Sequence, residues 1–272
     1  MPAPQSAKVA AFRALHASGC FLIPNPWDIG SARILAGLEF KALASTSAGA
    51  AWALGLPDGA VTLDAMLAHL SDLAAATDLP LNADFMNAYA DDPDNVAANV
   101  ARAVATGVAG LSVEDSTGDA ANPLYDETLA VARIAAARRA IDASDSGVLL
   151  TARCEAFLVG RRDLDLAIAR LKAYAAAGAD VLFAPGLPDL AAVRAVVQAA
   201  SPLPVNAIMS GPGFTVPDLQ SAGARRISVG GALARTAYAA FIRAAVGLQT
   251  DGHFQPSVPV DPFPNLNAAF TD

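Results

Sequence analysis

The stretch PLNADFMNAYADDPDNVAANVARAVATGVAGLSVED, residues 80–115, reads as a strand, a helix and a second strand. "PLNADF" and "GLSVED" are short apolar runs that end in polar residues, and "DNVAANVARAVATG" between them has helical spacing and closes near a glycine. A strand that returns through a helix pairs in parallel with its predecessor. The same pattern recurs along the chain. "FLIPN" at 21, "ALASTS" at 42, "VLLTARCE" at 148, "DVLFAP" at 180, "LPVNAIM" at 203 and "RRISVGG" at 225 read as further strands, with segments such as "DAMLAHLSDLAAATD", "LDLAIARLKAYAAAG" and "LAAVRAVVQAA" between them. Strands apolar on both faces suit a sheet covered by helices. Eight such units within roughly 250 residues predict a (β/α)8 TIM barrel; a doubly wound sheet would usually show fewer strands and a GxGxxG after the first, and none is present.

The glycines of "GVAG" at 107, "GAD" at 178 and "AGAR" at 222 mark one recurring helix-to-strand return. The first twenty residues read as an extra amphipathic helix, so residues 1–250 are expected to form a single barrel domain, followed by a proline-rich tail over 251–272. With 272 residues, 54% of them hydrophobic, the chain is expected to fold into a large core. Its formal net charge of -8, without any run of lysines or arginines, argues against nucleic acid and anionic membranes as partners and for a small molecule. Lys8, Arg13 and His16 interrupt what would be the apolar core of a signal peptide, and no apolar run reaches membrane-spanning length. Cys20 and Cys154 are far apart and form no CxxC, which suits a reducing cytoplasm.

In such a barrel the chemistry sits at the C-terminal ends of the strands. Those ends carry Ser45 to Ser47, Asn82 and Asp84, Glu114 and Asp115, Arg153 and Glu155, and Asn206. Strand alternation puts Asn82 with Asp84, Ser112 with Glu114, and Arg153 with Glu155 on shared faces, and turns Cys154 toward the helices as a small core residue. Asp84, Glu114 and Asn82 are hard oxygen donors with no histidine nearby in the pattern, a set that favours magnesium or manganese. Each acid taken alone also reads as a helix cap or a loop ion pair; Asp28 and Asp115 are expected to be caps or supports. Arg153 could equally be a structural partner for Glu155, and Asp58 in "LPDG" reads as a tight turn from spacing alone.

Taken in order, "NPWDIGSARIL", "ASTSAGAAWALGLPDG", "PLNADFMNAYA", "GLSVEDSTGD" and "TARCEAF" resemble the isocitrate lyase and phosphoenolpyruvate mutase superfamily, as far as about residue 245. The resemblance implies a (β/α)8 barrel whose eighth helix is exchanged between subunits of a homotetramer, and a magnesium (or manganese) ion bound with a 2-oxo or 2-hydroxy carboxylate. By the same resemblance Asp84, Glu114, Asn82 and Asp58 form the metal shell, often through water. Thr46, Ser47 and Ala48 form the loop that takes the substrate carboxylate, and Arg153 neutralises the substrate's charge. Asn206 is expected on the substrate side, and Asp58, Arg153 and Thr46 in the chemistry.

Two departures stand out. The superfamily commonly has two aspartates in the third strand, and here the first is Asn82, a weaker metal donor. Its isocitrate and methylisocitrate lyases carry a cysteine in the gate loop, where this chain has "STGDAANPLYD"; Asn122 could stand in for the asparagine that phosphonate-cleaving members use. The expected activity is therefore a magnesium-dependent carbon–carbon lyase or decarboxylase acting on a small 2-oxo or 2-hydroxy (di)carboxylate through an enolate. Closure of the loop over 115–126 would protect that enolate from water. Phosphoenolpyruvate phosphonomutase or phosphonopyruvate hydrolase chemistry is one alternative, and a non-catalytic 2-oxo acid binding protein is another.

Overall fold

The computed structural model describes residues 3–211, 213–253 and 265–270. The chain runs α1 (Gln5–Ala17), β1 (Phe21–Ile23), α2 (Ile29–Gly37), β2 (Leu43–Ala44), α3 (Ser47–Ala53), α4 (Leu63–Ala76), β3 (Leu81–Asp84), α5 (Pro93–Val104) and β4 (Gly110–Glu114). It continues with α6 (Glu127–Ala143), β5 (Leu149–Arg153), α7 (Leu164–Ala176), β6 (Val181–Phe183), α8 (Leu190–Ala200), β7 (Val205–Ile208), α9 (Val216–Ser221), β8 (Arg226–Ser228) and α10 (Ala232–Asp251). A short 3₁₀ turn over Leu266–Phe270 packs on α2.

All eight strands pair in parallel, in the order β1-β8-β7-β6-β5-β4-β3-β2. Across the remaining seam the Ala44 N–H donates to the Pro24 carbonyl at 3.1 Å, so the sheet forms a nearly closed (β/α)8 barrel. The reason is local. Asp28, Thr46, Thr62, Asp92, Asp126, Asp163, Asp189 and Thr215 each cap the N-terminus of the helix that follows them, accepting from a backbone N–H that the helix leaves unpaired. At the other end, the returns marked in the sequence need left-handed backbone: Gly107, Gly178 and Gly223 have φ of 93°, 101° and 94°. A β-carbon on Gly178 would also stand 2.7 Å from Arg138 Cγ.

The extra N-terminal helix closes the bottom of the barrel. Phe12 is fully buried, and Gly110 makes room for it, since a β-carbon there would lie 2.7 Å from the Phe12 ring. His16 and Phe21 stack edge-on around it at 4.6 to 6.3 Å. Lys8 Nζ donates to the Ala74 and Thr77 carbonyls, both at 2.6 Å, and ties α1 to the end of α4.

The opposite terminus differs. In α10 the only buried residue is Ala234, while Phe241, Ile242, Val246 and Leu248 are exposed. Most of the tail expected over 251–272 lies outside the described residues. Among the described residues no helix is long and apolar enough to cross a membrane.

Candidate active site

The residues that the sequence placed at the strand ends divide into two levels. At the mouth stands an acidic ring around one cation. Arg153, the last residue of β5, pairs through Nε with Glu155, and through Nη1 with Asp84 at 3.3 Å and Glu114 at 3.4 Å. The registers Asp84↔Ser112 and Glu114↔Arg153 bring these side chains together from three adjacent strands. Arg153 is a structural partner for Glu155, and it also pairs with Asp84 and Glu114 at the mouth.

Asp84 is further fixed by Ser47, whose N–H and hydroxyl both donate to Oδ2 at 2.9 Å. The segment Thr46 to Ala48 therefore spends donors on the protein itself. Thr46 caps α3 through Gly49 N–H, Ser47 holds Asp84, and Ala48 lies in the first turn of α3. Asp58 does sit in a tight turn, closed by the Ala60 N–H on the Pro57 carbonyl at 3.1 Å with Gly59 at φ 84°, and its carboxyl also faces Ser47 and Asp84. The turn and the acidic shell are one structure.

Four carboxylates, Asp58, Asp84, Glu114 and Glu155, thus surround a single guanidinium. Burial pushes Glu114 up to about 8; Arg153 opposes this, while Glu155, Asp84 and Asp115 add to it. Glu155 and Asp58 are also raised, chiefly by burial. For Arg153, burial would lower the pKa, but Glu155, Glu114 and Asp84 outweigh it. This surplus of negative charge is what a divalent cation would relieve. Among the described residues no three acids, histidines or cysteines converge tightly enough to chelate an ion directly. The acids converge on the Arg153 guanidinium instead, and carboxylates held apart in this way suit a small hard ion that keeps several of its waters.

A support whose partners appear only in three dimensions holds the ring. Asp115 accepts from the Glu155 N–H at 2.7 Å, from Arg170 at 3.0 Å and from the Tyr174 hydroxyl at 2.6 Å, so it fastens the end of β5 to α7. The loop after β3 is forced into left-handed backbone at Met86, Ala88 and Tyr89, with φ of 49°, 57° and 56°. Buried Arg133 anchors it through the Asn87 carbonyl and through the Ala90 and Glu114 carbonyls at 2.9 and 3.1 Å. Among the described residues that bend leaves the Tyr89 hydroxyl buried without a partner; burial, then Asp84, Glu114 and Asp58, raise its pKa. Asn25, which the sequence reading left aside, staples three strands at the mouth: its Nδ2 donates to the Ser45 carbonyl at 2.8 Å, and its Oδ1 accepts from Val229 and Gly230.

Asn82 and Asn206 stand one level lower, in the wall of the cavity that Asp84 and Arg153 also line. Asn82 Oδ1 accepts from Arg226 Nη1 at 3.3 Å and Thr151 Oγ1 at 3.5 Å; Asn206 Oδ1 accepts from Arg226 Nε at 2.8 Å. Asn82 shares a face with Asp84 but lies deeper by two residues of strand, where its oxygen is engaged inside the barrel instead of turned to the acidic ring. The sequence offered one signal for this layer, an arginine opening the otherwise apolar strand "RISV". In the gate, Ser116 and Leu124 form an antiparallel bridge, and Asn122 is exposed and bonded to Asp119 within its own loop. Asn122 does not reach the mouth in this structure. Cys154 is buried on the helix side.

A sequence model of the family described as "Phosphoenolpyruvate phosphomutase" matches residues 12–249. The chain belongs to this family. A crystal structure from Burkholderia cenocepacia is 48% identical, with a TM-score of 0.94, over 98% of this chain and 97% of that one. The chain is 35% identical to 2-methylisocitrate lyase of Escherichia coli over 184 residues, 64% of this chain and 60% of the relative. It also superposes on oxaloacetate acetylhydrolase in complex with the product oxalate, at 28% identity and a TM-score of 0.87, over 98% and 94% of the two chains. The protein is thus an enzyme of the isocitrate lyase and phosphoenolpyruvate mutase superfamily of lyases and mutases.

Proposed function

We propose that this protein is a magnesium-dependent, or manganese-dependent, lyase that breaks a carbon–carbon bond in a small 2-oxo or 2-hydroxy (di)carboxylate, leaving an enolate. One observation carries the reading: Asp58, Asp84, Glu114 and Glu155 gather around Arg153 at the mouth of the barrel with more negative charge than that one cation offsets. Asp84, Glu114 and Asp58 would hold the ion, in part through water. Asn82 is not assigned to it. When bound, the ion supplies a Lewis acid for the charge that develops on the substrate oxygens.

The chain's own residues do the rest. Arg153 lines the cavity, and its Nη2 takes part in none of the ion pairs above, so it is placed to receive a substrate carboxylate. Ser47 orients Asp84, and Asp115 orients Glu155 through its N–H, which keeps the ring in place as charge builds. The flap over 116–124 is hinged between Asp115 and Tyr125, whose N–H donates to the Asp115 carbonyl at 3.0 Å, and its closure would exclude water. Neither cysteine lies at the mouth, so isocitrate and methylisocitrate are unsuited and oxaloacetate or alkyl malates are favoured. Oxalate bound to the oxaloacetate acetylhydrolase relative supports this class of acid.

The exposed apolar side chains of α10 support exchange of that helix between subunits of a homotetramer. The net charge of -8 without a basic run supports a small molecule, and not nucleic acid or an anionic membrane, as the partner, and the two free cysteines suit a cytoplasmic setting. The decisive experiment incubates the protein with magnesium and a panel of 2-oxo, 2-hydroxy and phosphono acids and follows the products by NMR. Cleavage of a carbon–carbon bond supports the reading. Turnover of phosphono acids alone, or of nothing, replaces it with one of the alternatives.

A further inference from the structure

The interior of the barrel holds a second cation that the mouth chemistry does not use. Arg226 is 3% exposed. Its guanidinium donates to Asn206 Oδ1 at 2.8 Å, Thr151 Oγ1 at 3.0 Å and Asn82 Oδ1 at 3.3 Å, all of them neutral acceptors. Burial pushes it down to about 9 and no neighbouring acid opposes that shift, yet it stays charged at neutral pH. Arg153 and Arg170, by contrast, each pair with carboxylates. A buried charge without a counter-charge is costly, and neutral acceptors recover only part of the cost. Beneath it the Phe12 ring, 5.9 Å away, closes the barrel.

Above it the barrel is open between polar side chains and the apolar Ile23, Ala44, Phe183 and Ile208. Arg226, Asn82, Asn206, Ser112, Ser228 and Arg153 line one cavity of about 50 Å³ that leads up to the mouth. A guanidinium has five N–H donors, and three are accounted for by these bonds. Thr151, which fixes the lower arginine, precedes Arg153 by two residues on β5, so the two cations are tied to levels separated by about 7 Å of strand rise.

We propose that this cavity is a carboxylate site: Arg226 is the counter-charge for the far carboxylate of a short dicarboxylate whose other end is held at Arg153. The inference rests on the reading of the mouth as a site for 2-oxo or 2-hydroxy acids, and it adds a floor that selects dianions by charge and length. Asn206 and Thr151 position the guanidinium, and the cavity walls limit the ligand to a few carbons.

The test is calorimetric titration of the full chain, in magnesium, with malate and with lactate, which differ by the distal carboxylate alone. Malate is expected to bind about tenfold to a hundredfold more tightly than lactate, the span of a charge-assisted hydrogen bond. Arg226→Gln should remove that advantage and leave lactate unchanged, and Arg226→Lys, which keeps the charge, should retain part of it. Should Arg226→Gln fail to fold, the malate-to-lactate ratio of the wild type and its partial loss in Arg226→Lys decide the matter. Equal binding of the two acids by the wild type, or an equal loss of both in the variants, overturns the carboxylate site and leaves the mouth reading standing. If the wild type binds neither acid, the mouth reading itself fails.

Discussion

Asp115→Asn removes one charge from a fully enclosed network while keeping the shape of the side chain. In the wild type, Oδ2 takes the Arg170 guanidinium at 3.0 Å and the Tyr174 hydroxyl at 2.6 Å, and Oδ1 takes the Glu155 N–H at 2.7 Å. The side chains of Asp115 and Arg170 are 2% and 8% exposed, so water cannot replace the lost charge. An amide can still accept at one atom, but its NH2 would face donors at the other. Breaking a buried pair by removing one partner costs about 3–5 kcal/mol, a large part of the ~5–15 kcal/mol that holds a typical domain folded. With an m-value of about 3 kcal/mol/M, the first urea transition, followed by circular dichroism, should fall by about 1–1.7 M. Replacing both partners, as in Asp115→Leu with Arg170→Met, should recover only part of the loss, because no uncompensated charge remains but the Glu155 N–H and the Tyr174 hydroxyl lose their acceptor. A loss below about 1 kcal/mol for Asp115→Asn would refute the claim that this pair is sealed and fastens β5 to α7.

Four further outcomes are expected. Chelation should abolish turnover and magnesium or manganese should restore it, while Asp84→Ala leaves a folded protein that no added metal rescues; full activity after exhaustive chelation would exclude the proposed role of the ion. Glu114 is raised from its ordinary carboxylate value to about 8 by burial, so the folded state holds a proton that the unfolded state has released, and in metal-free protein this contribution to stability is lost as pH climbs from about 4.5 to about 8. Thermal unfolding in chelator at pH 5 and at pH 8.5, compared with Glu114→Gln to subtract groups present in both, such as His16, Glu155 and Asp58, should show a larger decline in the wild type. Methylisocitrate should be a poor substrate because no thiol stands at the mouth, which a coupled assay for pyruvate release can check. Asn82→Asp should set its new charge against Arg226 and change magnesium affinity by less than about threefold; a tenfold gain by calorimetry would return position 82 to the metal shell.

What the sequence determined by itself was whatever depends on neighbours along the chain. Two-residue alternation put Asp84, Glu114 and Arg153 on the inner face of their strands, capping aspartates and threonines opened the helices, and Gly107, Gly178 and Gly223 supplied the left-handed returns that brought each strand back parallel. Asp28 and Asp115 did prove to be a cap and a support. Depth inside the barrel was another matter. Asn82 and Asp84 share a face and differ by two residues of strand rise, and nothing local distinguishes an inner layer from the rim. The difference is made by Arg226, which is 144 residues away in sequence and takes the Asn82 oxygen for itself. Asp115 likewise became a support only when α7 brought Arg170 and Tyr174 to it from 55 and 59 residues away. A buried charge is satisfied by whichever groups the closed barrel places against it, and closure is a property of all eight strands together, so these assignments exist only in the tertiary structure.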